Sequence, residues 1–156
     1  MKPRKRSAEP HELRLTRLLD APRPLVFQAW SEPRHLVRWW GPHNFTLPFC
    51  LVDFREGGAY KFCMRAPDGT DHWVWGVYRE IVEPSRLVFS WNRTPASEPV
   101  NPWAVTLVSV TFAEEGTRTR LTLLQARFQN EEDCVDHRGG WTECLDRLTN
   151  CLLPVS

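Results

Sequence analysis

No stretch of the sequence approaches the roughly 18 consecutive apolar residues of a transmembrane helix, so a helical membrane span is excluded. The basic start Met1-Lys2-Pro3-Arg4-Lys5-Arg6 has no apolar stretch behind it, so it is no secretory signal, and residues 1–11 read as a disordered tail. One-signed charge is also missing. The net charge is +1, which speaks against a nucleic-acid partner and against membrane insertion. The five histidines (His11, His35, His43, His72 and His137) never fall four residues apart, and no His-Glu-x-x-His or Cys/His cluster occurs, so no metal site is expected. Gly-x-Ser-x-Gly, the P-loop and Gly-x-Gly-x-x-Gly are absent, so the usual signatures of a nucleophile or a nucleotide are lacking, and no cofactor is expected. Cys50, Cys63, Cys134, Cys144 and Cys151 are odd in number and form no Cys-x-x-Cys pair. They read as small buried apolar residues in a reducing compartment, which places the protein in the cytoplasm.

What is abundant is tryptophan, with 8 in 156 residues. An indole is bulky, and its N–H wants a partner when buried. Such an investment means either a large aromatic core or a surface for flat, apolar partners. The length favours one domain, here residues 12–153, and is enough for a real core.

Residues 12–20 alternate apolar and polar and read as a strand with Leu13, Leu15 and Leu18 inward. Pro22 and Pro24 open a short helix through Val26, Ala29 and Trp30. Pro33 opens another through Trp39 and Trp40, stopped by Gly41-Pro42. The period then becomes two. Strands are expected over 45–54 (an edge strand or a bulge, given Pro48), 59–66, 72–82, 86–92, 103–113 and 117–128. The segment 94–102, with Pro95, Pro99 and Pro102, reads as a loop. From Asn130, a fair N-cap followed by three acidic residues, the pattern turns helical until Pro154. Trp141, Leu145, Leu148 and Leu152 form its apolar stripe, extended by Cys144 and Cys151, and Glu143–Arg147 is a well-oriented pair on the other side. Six strands joined by short turns make an antiparallel meander, and the C-terminal helix is the long amphipathic element left to cover its apolar face.

Seven phrases tie this order to a known family. They are Ala21-Pro22-Arg23-Pro24-Leu25-Val26-Phe27-Gln28-Ala29-Trp30, Trp39-Trp40-Gly41-Pro42, Asp53-Phe54-Arg55-Glu56-Gly57-Gly58, Gly76-Val77-Tyr78-Arg79-Glu80-Ile81, Arg86-Leu87-Val88-Phe89-Ser90-Trp91, Thr119-Arg120-Leu121-Thr122-Leu123, and Gly140-Trp141 with Leu145 and Leu148. Over residues 12–153 the chain resembles the domain of the activator of the heat-shock protein's ATPase (AHSA-type), within the START-like or SRPBCC superfamily. The resemblance implies an α+β helix-grip fold. In that fold a curved antiparallel sheet of six to seven strands closes over a long C-terminal helix, with two short helices after the first strand and a cavity between sheet and helix. Its members include lipid carriers, hormone receptors, polyketide cyclases and co-chaperone domains, so function must be argued from the site.

The inward sets are Tyr60, Phe62 and Met64, then Phe89 and Trp91, then Val108 and Val110, then Leu121 and Leu123, with Trp141, Cys144 and Leu145 from the helix, and Trp40 and Phe45 are counted with them as ligand-binding candidates. They describe either a filled core or the wall of a ligand cavity. Gly76 in mid-strand and Gly139-Gly140 in the helix favour the cavity, because glycine there gives up stability for close approach or room. Tyr78 shares the Gly76 face. Trp73 and Trp75 lie on the opposite face by parity: inward they enlarge the pocket, outward they make an interface. Glu80, a carboxylate in mid-strand, with Arg55 as its natural cation, is the acid–base candidate beside the plainer reading of a structural ion pair. Three functions follow. The first is binding of a small apolar or aromatic molecule in the cavity. The second is a cyclase- or aromatase-like enzyme using Glu80 and Arg55. The third is an interaction module, either a homodimer through Trp73 and Trp75 or, more weakly, a co-chaperone, since a lone domain offers no second chaperone-binding part.

Overall fold

The computed structural model describes residues 11–94 and 105–152. Of the expected tail over 1–11, residues 1–10 lie outside the described residues, as do the loop with Pro95, Pro99 and Pro102, the start of a strand at 103 and the stop at Pro154, while His11 belongs to the first strand. The chain runs β1 (His11–Leu19), α1 (Arg23–Ser31), α2 (Pro33–Trp39), β2 (Thr46–Val52), β3 (Ala59–Arg65), β4 (Asp71–Val82), β5 (Arg86–Thr94), β6 (Thr106–Glu115), β7 (Arg118–Phe128) and α3 (Glu131–Cys151). The sheet has seven strands in the order β1-β7-β6-β5-β4-β3-β2, every neighbour antiparallel. β1 pairs with the last strand, while β2 forms the other edge. The α1–α2 segment therefore carries the chain from one edge of the sheet to the other. This is the curved sheet, long C-terminal helix and paired short helices of the helix-grip plan.

Local chemistry explains the joints. Proline sits in the first turn of α1 and of α2, where its missing N–H costs nothing. Gly41, at φ +107°, takes the left-handed turn after α2. Pro48 is tolerated because β2 is an edge, and the β2–β3 register shifts between Thr46 and Phe49. The Asn130 side chain caps α3 by accepting from the Asp133 N–H at 2.7 Å.

Two expectations need correction. In β1 the inner positions are Leu13 and Leu19, both fully buried, while Leu18 is 38% exposed. Strict alternation puts Arg17, not Leu18, on the helix side, and Arg17 uses that position to reach the Asp146 carboxylate at 2.8 Å. Glu143 and Arg147 also find better partners than each other. The Glu143 carboxylate accepts from the His43 N–H at 3.0 Å. Arg147 Nη1 donates to the carbonyls of Trp40, Gly41, Pro42 and Phe45 at 3.4, 3.1, 3.1 and 3.2 Å. That guanidinium stitches α3 to the turn after α2.

The space between sheet and α3 is occupied mainly by indole. Trp30, Trp39, Trp40, Trp91 and Trp141 are all buried and touch in a chain, with ring centroids 4.8 Å apart for Trp30–Trp39, 5.4 Å for Trp39–Trp40, 5.4 Å for Trp40–Trp141 and 5.3 Å for Trp91–Trp141. Most pairs are edge-on or tilted, as ring quadrupoles prefer. All five cysteines are free thiols. No helix among the described residues is long and apolar enough to cross a membrane.

Candidate functional site

Among the described residues two spaces interrupt the packed interior, and Trp40 borders both. The outer one is a chamber of about 70 Å³ beneath α3, walled by Trp40, Trp91 and Trp141, with Met64, Gly41, Pro42, Gly140 and Cys144 around it and Arg93, Asp136 and His137 at its rim. The inner one is a void of about 10 Å³ among Trp30, Trp40, Tyr60, Phe62, Tyr78, Leu87 and Phe89. Pockets that enclose a drug-sized ligand usually measure about 300–1,000 Å³. Among the described residues the interior is therefore mostly packed, and these two spaces are small beside such pockets.

The chamber's aromatic walls are held by a buried polar network. Trp91 Nε1 donates to His137 Nε2 at 3.1 Å, and His137 Nδ1 donates to the Asp133 carbonyl at 2.9 Å. Both ring nitrogens are thus committed, as a neutral imidazole requires. Burial, reinforced by the Arg93 guanidinium, pushes the His137 pKa below its ordinary value and keeps the ring neutral. Trp141 Nε1 donates to Gln125 Oε1 at 2.7 Å, Gln125 Nε2 to Thr106 Oγ1 at 2.8 Å, and Thr106 Oγ1 to the Trp91 carbonyl at 3.3 Å. The N–H groups of Trp91 and Trp141 are turned into this network, so these two rings offer carbon faces to the chamber. The Cys144 thiol accepts from the Gly41 N–H at 3.2 Å, and burial pushes its pKa up to about 12, so it is no nucleophile at neutral pH.

At the rim, Arg93 Nη2 lies 3.3 Å from an Asp133 oxygen and 3.0 Å from an Asp136 oxygen. Asp133, Asp136 and His137 bring one donor atom each to within 4.8 Å of one another, close enough to consider a metal. Their chemistry does not suit one: the carboxylates are neutralised by Arg93, and the imidazole has no free lone pair.

Of the residues singled out from sequence, Trp40, Met64, Trp91, Gly140, Trp141 and Cys144 meet at the outer chamber, and Tyr60, Phe62, Tyr78 and Phe89 at the inner void. Val108, Val110, Leu121, Leu123 and Leu145 are fully buried packing, and Phe45 stands to the side against His72. Gly76 gives close approach rather than room, since a Cβ there would lie 1.9 Å from the Ser90 carbonyl oxygen. Gly139 faces open space away from the chamber, while Gly140, also uncrowded, borders it.

Arg55 and Glu80 are not brought together. Arg55 pairs with Asp53 at 3.0 Å and Glu80 with Arg86 at 3.0 Å, both at the surface and both outside the chamber. A register shift in β4 between Tyr78 and Glu80 turns the glutamate outward and leaves Ile81 packed on the core. Trp73 and Trp75 face outward, because Val74, Gly76 and Tyr78 take the inner face. Trp73 lies against Phe49 (centroids 5.7 Å apart) with Lys61 Nζ 5.1 Å from its ring centre.

Sequence reasoning missed His137, Arg93, Asp136 and the Gly41-Pro42 wall as chamber residues. His137 had a signal, since it stands four residues before Trp141 on the apolar stripe. Arg93 and Asp136 had none, being 43 residues apart.

A family model described as "Activator of Hsp90 ATPase homolog 1-like protein" matches residues 20–152. No curated protein matches the chain. Among solved structures, protein CV1439 from Chromobacterium violaceum is 27% identical, with a TM-score of 0.82, over 92% of this chain and 98% of that one. The AHSA1 (SPO3351) protein from Silicibacter pomeroyi is 25% identical, with a TM-score of 0.81, over 90% and 96%. CalU16 from Micromonospora echinospora is 26% identical, with a TM-score of 0.68, over 93% and 78%.

Proposed function

The chain belongs to the activator of Hsp90 ATPase homolog 1-like family, and we propose that it binds a small, flat aromatic or apolar molecule in the chamber between the sheet and α3. The observation that carries this reading is the wall of three indoles, Trp40, Trp91 and Trp141, beside the uncrowded Gly140, with the N–H groups of Trp91 and Trp141 already spent within the protein. An apolar wall with a few polar groups at one rim is the usual make-up of a small-molecule site.

Size limits the ligand and its affinity. Burying about 300 Å² of apolar ligand yields roughly 7 kcal/mol at 25 cal/mol/Å². Association costs at least about 4 kcal/mol, which leaves about 3 kcal/mol at most, so greasy contact alone supports binding no tighter than millimolar. Tryptophan fluorescence titrated against fatty acids, flavonoids and polycyclic aromatics tests the reading. Quenching or a blue shift that saturates with a bicyclic aromatic supports it, and no response from any class rejects it.

An acid–base enzyme receives no support from Glu80 and Arg55, which lie outside the chamber in separate ion pairs. Self-association through the outer face is a second reading, favoured by the exposure of Phe49, Leu51 and Val77 beside Trp73 and Trp75. Sedimentation that finds a monomer at high concentration rules it out.

A further inference from the structure

Three of the buried indoles have hydrogen-bond partners: Trp39 Nε1 donates to the Ala29 carbonyl at 3.0 Å, Trp91 to His137 and Trp141 to Gln125. Trp30 breaks the pattern. It is 2% exposed, and its Nε1 is buried with no partner. A donor left unmade in a dry interior is costly, and native structures rarely leave one without a water or a ligand. Trp30 is also a wall of the inner void, whose volume of about 10 Å³ is close to what one water needs. The same void is bordered by Tyr60 and Tyr78. The Tyr60 hydroxyl spends its proton on the Ser90 carbonyl at 2.6 Å, so its oxygen is free to accept. Burial raises both phenol pKa values, so both stay neutral hydroxyls. One-atom room, an unmet donor and hydroxyl oxygens are the requirements of an oxygen atom rather than of a methyl group.

We propose that the inner void is a subsite for a single oxygen, with Trp30 Nε1–H as its hydrogen-bond donor: the carbonyl or hydroxyl oxygen of the bound ligand, replaced by a water when the chamber is empty. The proposal rests on the ligand reading above and narrows it to flat apolar molecules with an oxygen at one end, such as aryl ketones and phenols. Trp40 borders both spaces, so displacement of its ring joins them and lets the body of the ligand occupy the indole-walled chamber while its oxygen enters the void.

The test uses two probes of equal shape, indane and 1-indanone, titrated calorimetrically into the full-length protein. The ketone should bind the wild type about tenfold more tightly, the worth of one hydrogen bond made in a dry site. In Trp30→Phe the two probes should bind alike. In the ¹⁵N-labelled wild type, the Trp30 indole N–H resonance should move on addition of 1-indanone and stay with indane. Equal wild-type affinities, or discrimination that survives Trp30→Phe, would overturn the oxygen subsite while leaving the ligand reading in place. Binding of neither probe up to its solubility overturns both. Should Trp30→Phe not fold, the wild-type resonance decides: unmoved by the ketone, it means that Nε1–H already spends itself on a neighbouring ring such as Trp39, and the proposal fails.

Discussion

Replacing Arg147 with methionine keeps most of the stem and removes the guanidinium that ties α3 to the turn carrying Trp40, Gly41 and Pro42. Nη1 has two N–H groups shared among four carbonyls at 3.1–3.4 Å, and Nη2 adds the Arg38 carbonyl at 3.4 Å. Shared bonds are weaker than single ones, so the guanidinium makes the equivalent of two good charged hydrogen bonds. Such bonds are worth about 1.5–3 kcal/mol each when well shielded, and part of this group is in water, so the expected loss is about 2–3 kcal/mol. For a chain of this length that corresponds to a fall in Tm of about 4–12 °C. Urea denaturation followed by circular dichroism measures it directly. Arg147→Lys, a point charge that cannot fork over several carbonyls, should fall between the two. A loss below about 0.5 kcal/mol in Arg147→Met, the range of an ordinary surface change, would refute the role given to this residue.

Gly76→Ala should cost about 3 kcal/mol, because the new Cβ meets the Ser90 backbone oxygen at 1.9 Å and Tyr60 at 2.8 Å. A midpoint equal to wild type in the same urea series contradicts the close approach. Stability should also fall with pH below the ordinary histidine value of about 6.5. His137 is held neutral in the fold by burial and Arg93, with Asp133 and Asp136 opposing, so the unfolded chain binds the extra proton first. Full stability is therefore present above about pH 6.5 and declines towards pH 5, by at most about 1.4 kcal/mol per unit for one proton. His137→Gln should flatten that slope, and a slope unchanged in the variant would remove His137 as its source.

Much of this architecture is legible from period alone. Strand alternation finds β3, β5, β6 and β7, and the stripe Trp141, Leu145, Leu148 finds α3, because one face of each must be apolar to bury. Leu18 deceived the pattern because Leu19 follows it, and a run of two leucines does not say which one faces in. The orientation of Trp73 and Trp75 depends on which parity of β4 is inner, and only the packing of Val74 and Tyr78 decides that. The smallness of the cavity was not legible either, since alternation tells which side chains face each other but not whether five indoles fill the gap between them. Whether Glu80 faces the cavity or the surface was not legible, because the register shift that turns it outward leaves no mark in its own residue types.

Calorimetric titration of 1-indanone into Gly140→Leu beside the wild type shows whether the indole-walled chamber is the ligand site. A Cβ at Gly140 meets nothing within 4 Å and Gly140 borders the chamber, so a larger side chain there is expected to take up the ligand's space. Gly139→Ala, whose Cβ is equally free, serves as the control and should raise stability by about 0.5–1 kcal/mol through helix propensity alone. Gly140→Leu should keep or raise Tm and lose binding at least about tenfold, while Gly139→Ala should bind as wild type does. Undiminished binding in a well-folded Gly140→Leu would place the ligand elsewhere in the molecule.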